Sequence, residues 1–175
     1  IMKTFKTNIF VVLFFGTISL FSQKTEMVLK VSEYLQSNGT IKQYKDAYLE
    51  LLNLMEKQFP KSDKNSDGWL YLQQNETKAL TNINELLVPI YIKHFNEEDI
   101  DKMQSFYLGD TGQQLVQDRN KLTDAQLKEV DTFFSSKIGS KIKTKQQVLS
   151  EEIAMVSEYW SKDLYQTAVL LLKEE

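Results

Sequence analysis

The chain has 175 residues, 42% hydrophobic and 26% charged, with 21 basic against 24 acidic residues and a formal net charge of −3. That length suits one domain with a single core, and the balance is that of a folded globule rather than a disordered or membrane-embedded polypeptide. There is no cysteine, which excludes disulfides, thiolate metal sites and anchoring through a lipid-modified cysteine.

At the N-terminus Lys3 and Lys6 precede an apolar run of 13 residues, Ile9 to Phe21, and Ser22 is a small residue at which a signal peptidase could cut. The pattern predicts a signal peptide over 1–22 and a mature chain, 23–175, that starts near Gln23. The run is shorter than the about 20 residues that span a bilayer, so no stable membrane span is expected after cleavage. Losing two lysines leaves 19 basic residues against 24 acidic ones, a balance of −5. Such a chain lacks the concentrated basic face that nucleic acid requires, and no nucleic-acid partner is expected. Arg119 is the only arginine, which also weakens any bidentate anion site.

The mature chain reads as helix nearly throughout, because two prolines and six glycines leave long stretches unpunctuated. Met27, Val28, Val31 and Leu35 predict a helix over about 25–37 that stops at Asn38-Gly39. Ile41, Tyr44, Tyr48, Leu51, Leu52 and Met55 predict a second, capped by Thr40 and ending before Pro60. A polar loop from Lys61 to Gly68 and a short turn at Trp69 to Leu72 follow. A helix through Leu80, Ile83, Leu86 and Leu87 then meets Pro89, which should kink it or break it near Val88. A last helix, Ser150 to about Lys173, carries Ile153, Val156, Trp160, Leu164, Ala168 and Leu171. The expectation is an all-α, single-domain helical bundle of about 6–8 helices.

Between those outer helices the segment from Phe95 is echoed 27 residues later. Ile100 meets Leu127, Met103 meets Val130, Phe106-Tyr107 meets Phe133-Phe134, and Gly112 meets Gly139. This predicts a helix-turn-helix internal repeat with units at about 95–121 and 122–148. Each unit has a cap (Asn96; Thr123, with Gln126 completing a capping box), an amphipathic helix, a glycine turn and a second short helix. Phe106 and Phe133 are the expected core anchors, and Gly112 and Gly139 would let the next helix approach closely. The start of the last helix imitates the unit a third time.

The stretch Leu87-Val88-Pro89-Ile90-Tyr91, then Lys93-His94-Phe95, Glu97-Glu98 and Phe106-Tyr107 with Gly112 five residues on, resembles the core motif of bacterial secreted proteins grouped as domain of unknown function 2059. Tyr34-Leu35 to Gly39, the helix with Met55, and Pro60 followed by Trp69 are similar to that family's N-terminal half. Family members usually have Ser-Pro in the turn after the aromatic pair, where this chain has Gly109-Asp110. The resemblance implies an exported, usually periplasmic helical protein, and it supplies no activity and no catalytic residues.

Chemistry-bearing residues are few. His94 is the only histidine, so a site of several histidines is excluded, and no nucleophile-elbow glycine pattern surrounds any serine. Glu97-Glu98 and Glu151-Glu152 are adjacent acids whose directions diverge by about 100° on a helix, which suits capping better than paired catalysis. Asp63, Asn65, Asp67 and Gly68 have the spacing of a helix-loop-helix calcium site, but the twelfth position is Gln74 instead of a bidentate glutamate. No catalytic, cofactor or metal residue is therefore assigned, and no cofactor is expected. The functional expectation is a non-catalytic binding or interaction module of the periplasm or envelope. Its partner would be a protein, an envelope component or a small apolar ligand. The alternative is a carboxylate-dependent hydrolase.

Overall fold

The computed structural model describes residues 12–173, with side chains from Thr25 onward. Among these residues eight α-helices and one 3-10 turn occur and no strand, so the all-α expectation holds. The helices are α1 (Val12–Ser37), α2 (Thr40–Gln58), α3 (Ser66–Gln74), α4 (Glu76–His94), α5 (Glu97–Leu108), α6 (Asp110–Gln117), α7 (Asp124–Ser135) and α8 (Lys137–Leu172). The 3-10 turn, Arg119–Lys121, joins α6 to α7. Residues 1–11 of the expected signal segment lie outside the described residues, and the backbone of 12–22 is the start of α1. No described helix is long and apolar enough to cross a membrane.

Helical periodicity selects the core. Val31, Tyr34 and Leu35 of α1 meet Ile83, Leu87 and Ile90 of α4, and Ile100 and Met103 of α5 close the cluster together with Ile138, Leu149 and Trp160 of α8. Ile41 and Tyr48 of α2 cover its side, one helical face repeating at seven residues. A smaller cluster joins α2, α3 and α8 through Met55, Trp69, Leu72, Ala168 and Leu172. In α8 the expected stripe holds from Ile153 through Trp160 to Ala168, and only its end differs, since Leu172 is fully buried while Leu171 is 36% exposed.

Five features of the helix ends differ from the sequence reading. Thr40, expected to cap α2, is its first residue, and the capping position is Gly39, which makes no side-chain bond. α1 begins at Val12 rather than near Thr25. The expected turn at Trp69 to Leu72 is a helix of nine residues that already includes Ser66 to Gly68. α4 runs through Pro89 without a break; the ring sits on the exposed side, where the Glu85 carbonyl it leaves without a donor can meet water. No break occurs at Ser150 either, because nothing from Lys143 to Ser150 stops a helix and Leu149 is packed into the core. The third imitation of the repeat thus lies inside α8.

The two units of the echo share their end chemistry. Asn96 and Thr123 each form a reciprocal capping box, with Asp99 and Gln126 as the returning side chains. A Cβ on Gly112 would lie 2.5 Å from Tyr107 Cα, and one on Gly139 would lie 2.5 Å from the Phe133 carbonyl oxygen, so both turns require glycine for close approach. Their packing differs. Ile100 and Met103 are buried, whereas Leu127 is 43% exposed and α7 buries no residue. The second short helix of the first unit is α6, but that of the second unit is the first part of α8. Phe106 and Phe133, expected in the core, are half-buried and stack on each other with centroids 4.0 Å apart and planes within 8°. The cause is the position of α7, which packs on α6 and α8 at the periphery and has no layer outside it.

Candidate functional site

The start of α5 brings its acids to lysines of two neighbouring helices, α1 and α8, and to one of its own. Lys30 of α1 reaches Glu97 at 2.6 Å and Asp101 at 3.0 Å. Lys102, one turn on, pairs with Glu98 at 2.6 Å. Lys141 of α8 bonds Asp99, with its ammonium 5.7 Å from the Phe95 ring centre. Burial alone would push the Asp99 carboxyl up, but Lys141 and the Asn96 backbone N–H outweigh it and hold the group below its ordinary range.

His94 ends α4, and its side chain is only 7% exposed. Its Nε2 lies 2.9 Å from Glu152 Oε2, while Lys93 donates to Glu152 Oε1 at 2.5 Å. The Lys93 ammonium, with His94 second, holds the Glu152 carboxyl below its ordinary range. An ionised carboxylate only accepts, so Nε2 carries the proton and donates. The adjacent acids of the sequence are therefore separated in space: Glu97 faces α1, Glu98 faces Lys102, Glu151 accepts from Gln147, and Glu152 faces α4. A hydrolase acid needs a raised carboxyl pKa, the opposite of what surrounds Glu152. The geometry is that of braces between helices.

The Glu152 brace has a pH signature. A lowered carboxyl contributes stability that is fully present above its unfolded value and lost as pH falls through the lower folded value. The unfolded reference here is 4.5. Acid denaturation followed by circular dichroism should therefore show a shallower loss of stability below pH 4.5 in Glu152→Gln than in wild type, beginning from a lower plateau. Identical slopes would mean that the pair contributes nothing.

The loop before α3 is spent on structure. Asn65 is buried; its Oδ1 accepts from the Ser62 backbone N–H at 2.9 Å and its Nδ2 donates to the Pro60 carbonyl at 3.1 Å. That side chain faces inward, away from any calcium position. Gly68 lies inside α3 against the Leu171 backbone, so helix packing rather than a calcium-loop turn accounts for it. Among the described residues no group of three His, Cys, Asp or Glu could hold a metal ion.

Open hollows flank the bundle among the described residues. One, of about 400 Å³ between α2 and α4, includes Lys42, Lys45, Glu76, Thr77, Thr81 and Asn84. Another, of about 490 Å³, sits where α5, α6 and α7 meet and is lined by Ser105, Phe106, Asp110, Thr111, Gln126 and Glu129. Thr111 is buried and donates to Glu129, tying α6 to α7. Beside this second hollow the Phe106–Phe133 stack continues to Phe134, 6.2 Å away edge to face, and Leu108, Leu127 and Phe134 are exposed. α6 opens at Gly109 without a side-chain cap, whereas 27 residues on Ser136 caps α8 through Gly139 N–H.

This geometry draws together the second half of α4, the capped start of α5, its aromatic end and the turn into α6. Residues 82–125 match the family model described as uncharacterized protein conserved in bacteria (DUF2059). The family resemblance of the sequence is thereby shown over that segment, which runs from within α4 to the first turn of α7. No curated protein and no solved structure matches the chain. Several partners of the DUF2059 segment lie outside it: Lys30, Lys141, Glu152, Glu129 and Phe133 come from α1, α7 and α8. No local pattern in the sequence marks them, because each meets its partner only through the fold.

Proposed function

We propose that this protein is an exported, non-catalytic binding or interaction module of the bacterial periplasm or envelope. One observation carries the reading. His94 and the Glu152 carboxylate are committed to ion pairs between α4 and α8, while α7 presents Leu127 and Phe134 uncovered beside the Phe106–Phe133 stack. An apolar face on a helix that buries none of its residues is suited to a partner surface. Export is supported by the basic, then apolar, segment before Gln23, and the family resemblance carries the same expectation.

The test joins location to surface. Intact-mass measurement of envelope-fraction protein should find a chain that starts near Gln23. Whatever co-purifies with it should be lost when Leu127 and Phe134 are both replaced by glutamate, with the circular dichroism spectrum unchanged. A full-length chain held in the inner membrane would overturn the export reading. A hydrolytic activity that disappears in Glu152→Gln would overturn the non-catalytic one.

A further inference from the structure

A row of aromatic rings that starts in the core comes out on α7. Tyr34 of α1 meets Tyr107 edge to face at 6.0 Å, Tyr107 meets Phe133 at 6.4 Å, and Phe133 meets Phe134 at 5.1 Å. Tyr34 is buried at one end of the row, and Phe134 is 40% exposed at the other.

The inner half of the row is the contact between α1 and α5, and the two helices run parallel there. Lys30 reaches Glu97 and Asp101, Glu33 accepts from Gln104 at 3.1 Å, and Tyr34 meets Tyr107, partners that advance together along both helices. Ile100 and Met103 share one buried cluster with Val31 and Leu35. At the offset of 27 residues, Leu127, Val130 and Phe134 of α7 take the places of Ile100, Met103 and Tyr107. Among the described residues no helix closes over them: Leu127 and Phe134 are exposed and Val130 is half-buried. The flanks are unmatched as well. Asp124, Lys128 and Asp131 stand where Glu97, Asp101 and Gln104 do, all three are exposed, and none has an ion pair or a side-chain hydrogen bond among the described residues. Met155 and Tyr159 of α8 are also exposed, but they belong to a helix whose other side is in the core, whereas α7 buries no residue.

The uncovered stripe has the i, i+3, i+7 spacing at which bound helices place their anchors. A small apolar molecule would leave Asp124 and Asp131 unanswered, and an anionic lipid surface would meet two carboxylates against one ammonium. The same balance leaves the face negative, so the complementary helix carries basic side chains beside its apolar stripe. Helix α1 of a second copy meets only part of that requirement. Lys30 has the right sign for Asp124, but Glu33 would stand opposite Asp131, where α5 offers the neutral Gln104.

We infer that α7 receives one amphipathic helix of a partner protein, lying parallel to it as α1 does to α5, with apolar side chains over Leu127, Val130 and Phe134 and basic groups at Asp124 and Asp131. The inference rests on the reading of the protein as an interaction module and names the class of partner for the α7 face. Amide NMR spectra of the purified mature protein, titrated with two synthetic peptides, test it. One peptide has the sequence of residues 25–39, and the other is the same peptide with Glu33→Lys. The Glu33→Lys peptide should shift the amides of Leu127, Val130, Asp131 and Phe134 with a dissociation constant of about 0.5 mM. It should bind about threefold tighter than the unsubstituted peptide, an advantage that added salt removes. Leu127→Ala and Phe134→Ala, both at exposed positions, should each weaken that binding about tenfold while leaving the rest of the spectrum in place. Equal or tighter binding of the unsubstituted peptide overturns the basic partner in favour of α1 from a second copy. No shift on α7 with either peptide, or shifts that both variants leave intact, overturns the helix site. A partner captured through Leu127 and Phe134 while both peptides stay silent would overturn only the helix inference and leave the module reading standing.

Discussion

Replacing Trp160 with alanine should lower the unfolding free energy by about 3–5 kcal/mol, the range for a large aromatic removed from a packed core. Trp160 is 3% exposed, its ring meets Tyr44 edge to face at 5.3 Å, and its indole N–H donates to the Ala79 carbonyl, so one side chain joins α8 to both α2 and α4. Trp160→Phe keeps much of the ring and loses the hydrogen bond, and should cost about 1–2 kcal/mol. The same helix supplies the control. Met155 and Tyr159 are 64% and 63% exposed, and truncating either should stay within about 0.5 kcal/mol. Denaturant midpoints at an unchanged slope would measure the difference, and a Trp160→Ala protein as stable as Tyr159→Ala would show that α8 does not pack through this face.

Gly68→Ala should destabilise by about 2–3 kcal/mol, against the intrinsic preference of about 1 kcal/mol that favours alanine inside a helix. A Cβ there would collide with the Leu171 carbonyl oxygen and lie 2.9 Å from the carbonyl carbon. Backbone stands on both sides of the contact, so no rotamer relieves it, and α3 would have to move away from α8. The second core cluster, with Trp69 and Leu72 on one side and Ala168 and Leu172 on the other, would open with it. Thermal and chemical unfolding read the sign directly. A stabilised Gly68→Ala would mean that the two helices are not in contact at this point.

How far each feature could be read from the sequence follows the range of the forces involved. The all-α class, the stop at Asn38-Gly39 with Gly39 at φ 80°, the Asn96 cap and the Thr123–Gln126 box are set by groups within about four residues of one another, and such patterns are visible in order along the chain. The core faces of α2 and α4 are legible for the same reason, since an apolar stripe has a period whatever it packs against. The family motif adds a segment, 82–125, whose match is shown.

Burial and partnership are decided elsewhere. Phe106 and Phe133 have the spacing of core anchors, yet they are half-buried because α7 has no layer outside it. Gly68 resembles a calcium-loop glycine until Leu171, more than 100 residues later, occupies the space a side chain would need. His94 has Glu97 and Glu98 three and four residues on, yet those acids pair with Lys30 and Lys102, and its own partner, Glu152, comes from α8, 58 residues on. The sequence by itself determined the helical class, the Asn96 and Thr123 caps and most of the apolar stripes, because hydrogen bonding and periodicity act locally. Only the tertiary structure decided which stripes are covered and which acids are neutralised by which lysines, because those depend on distances between helices that no local spacing encodes.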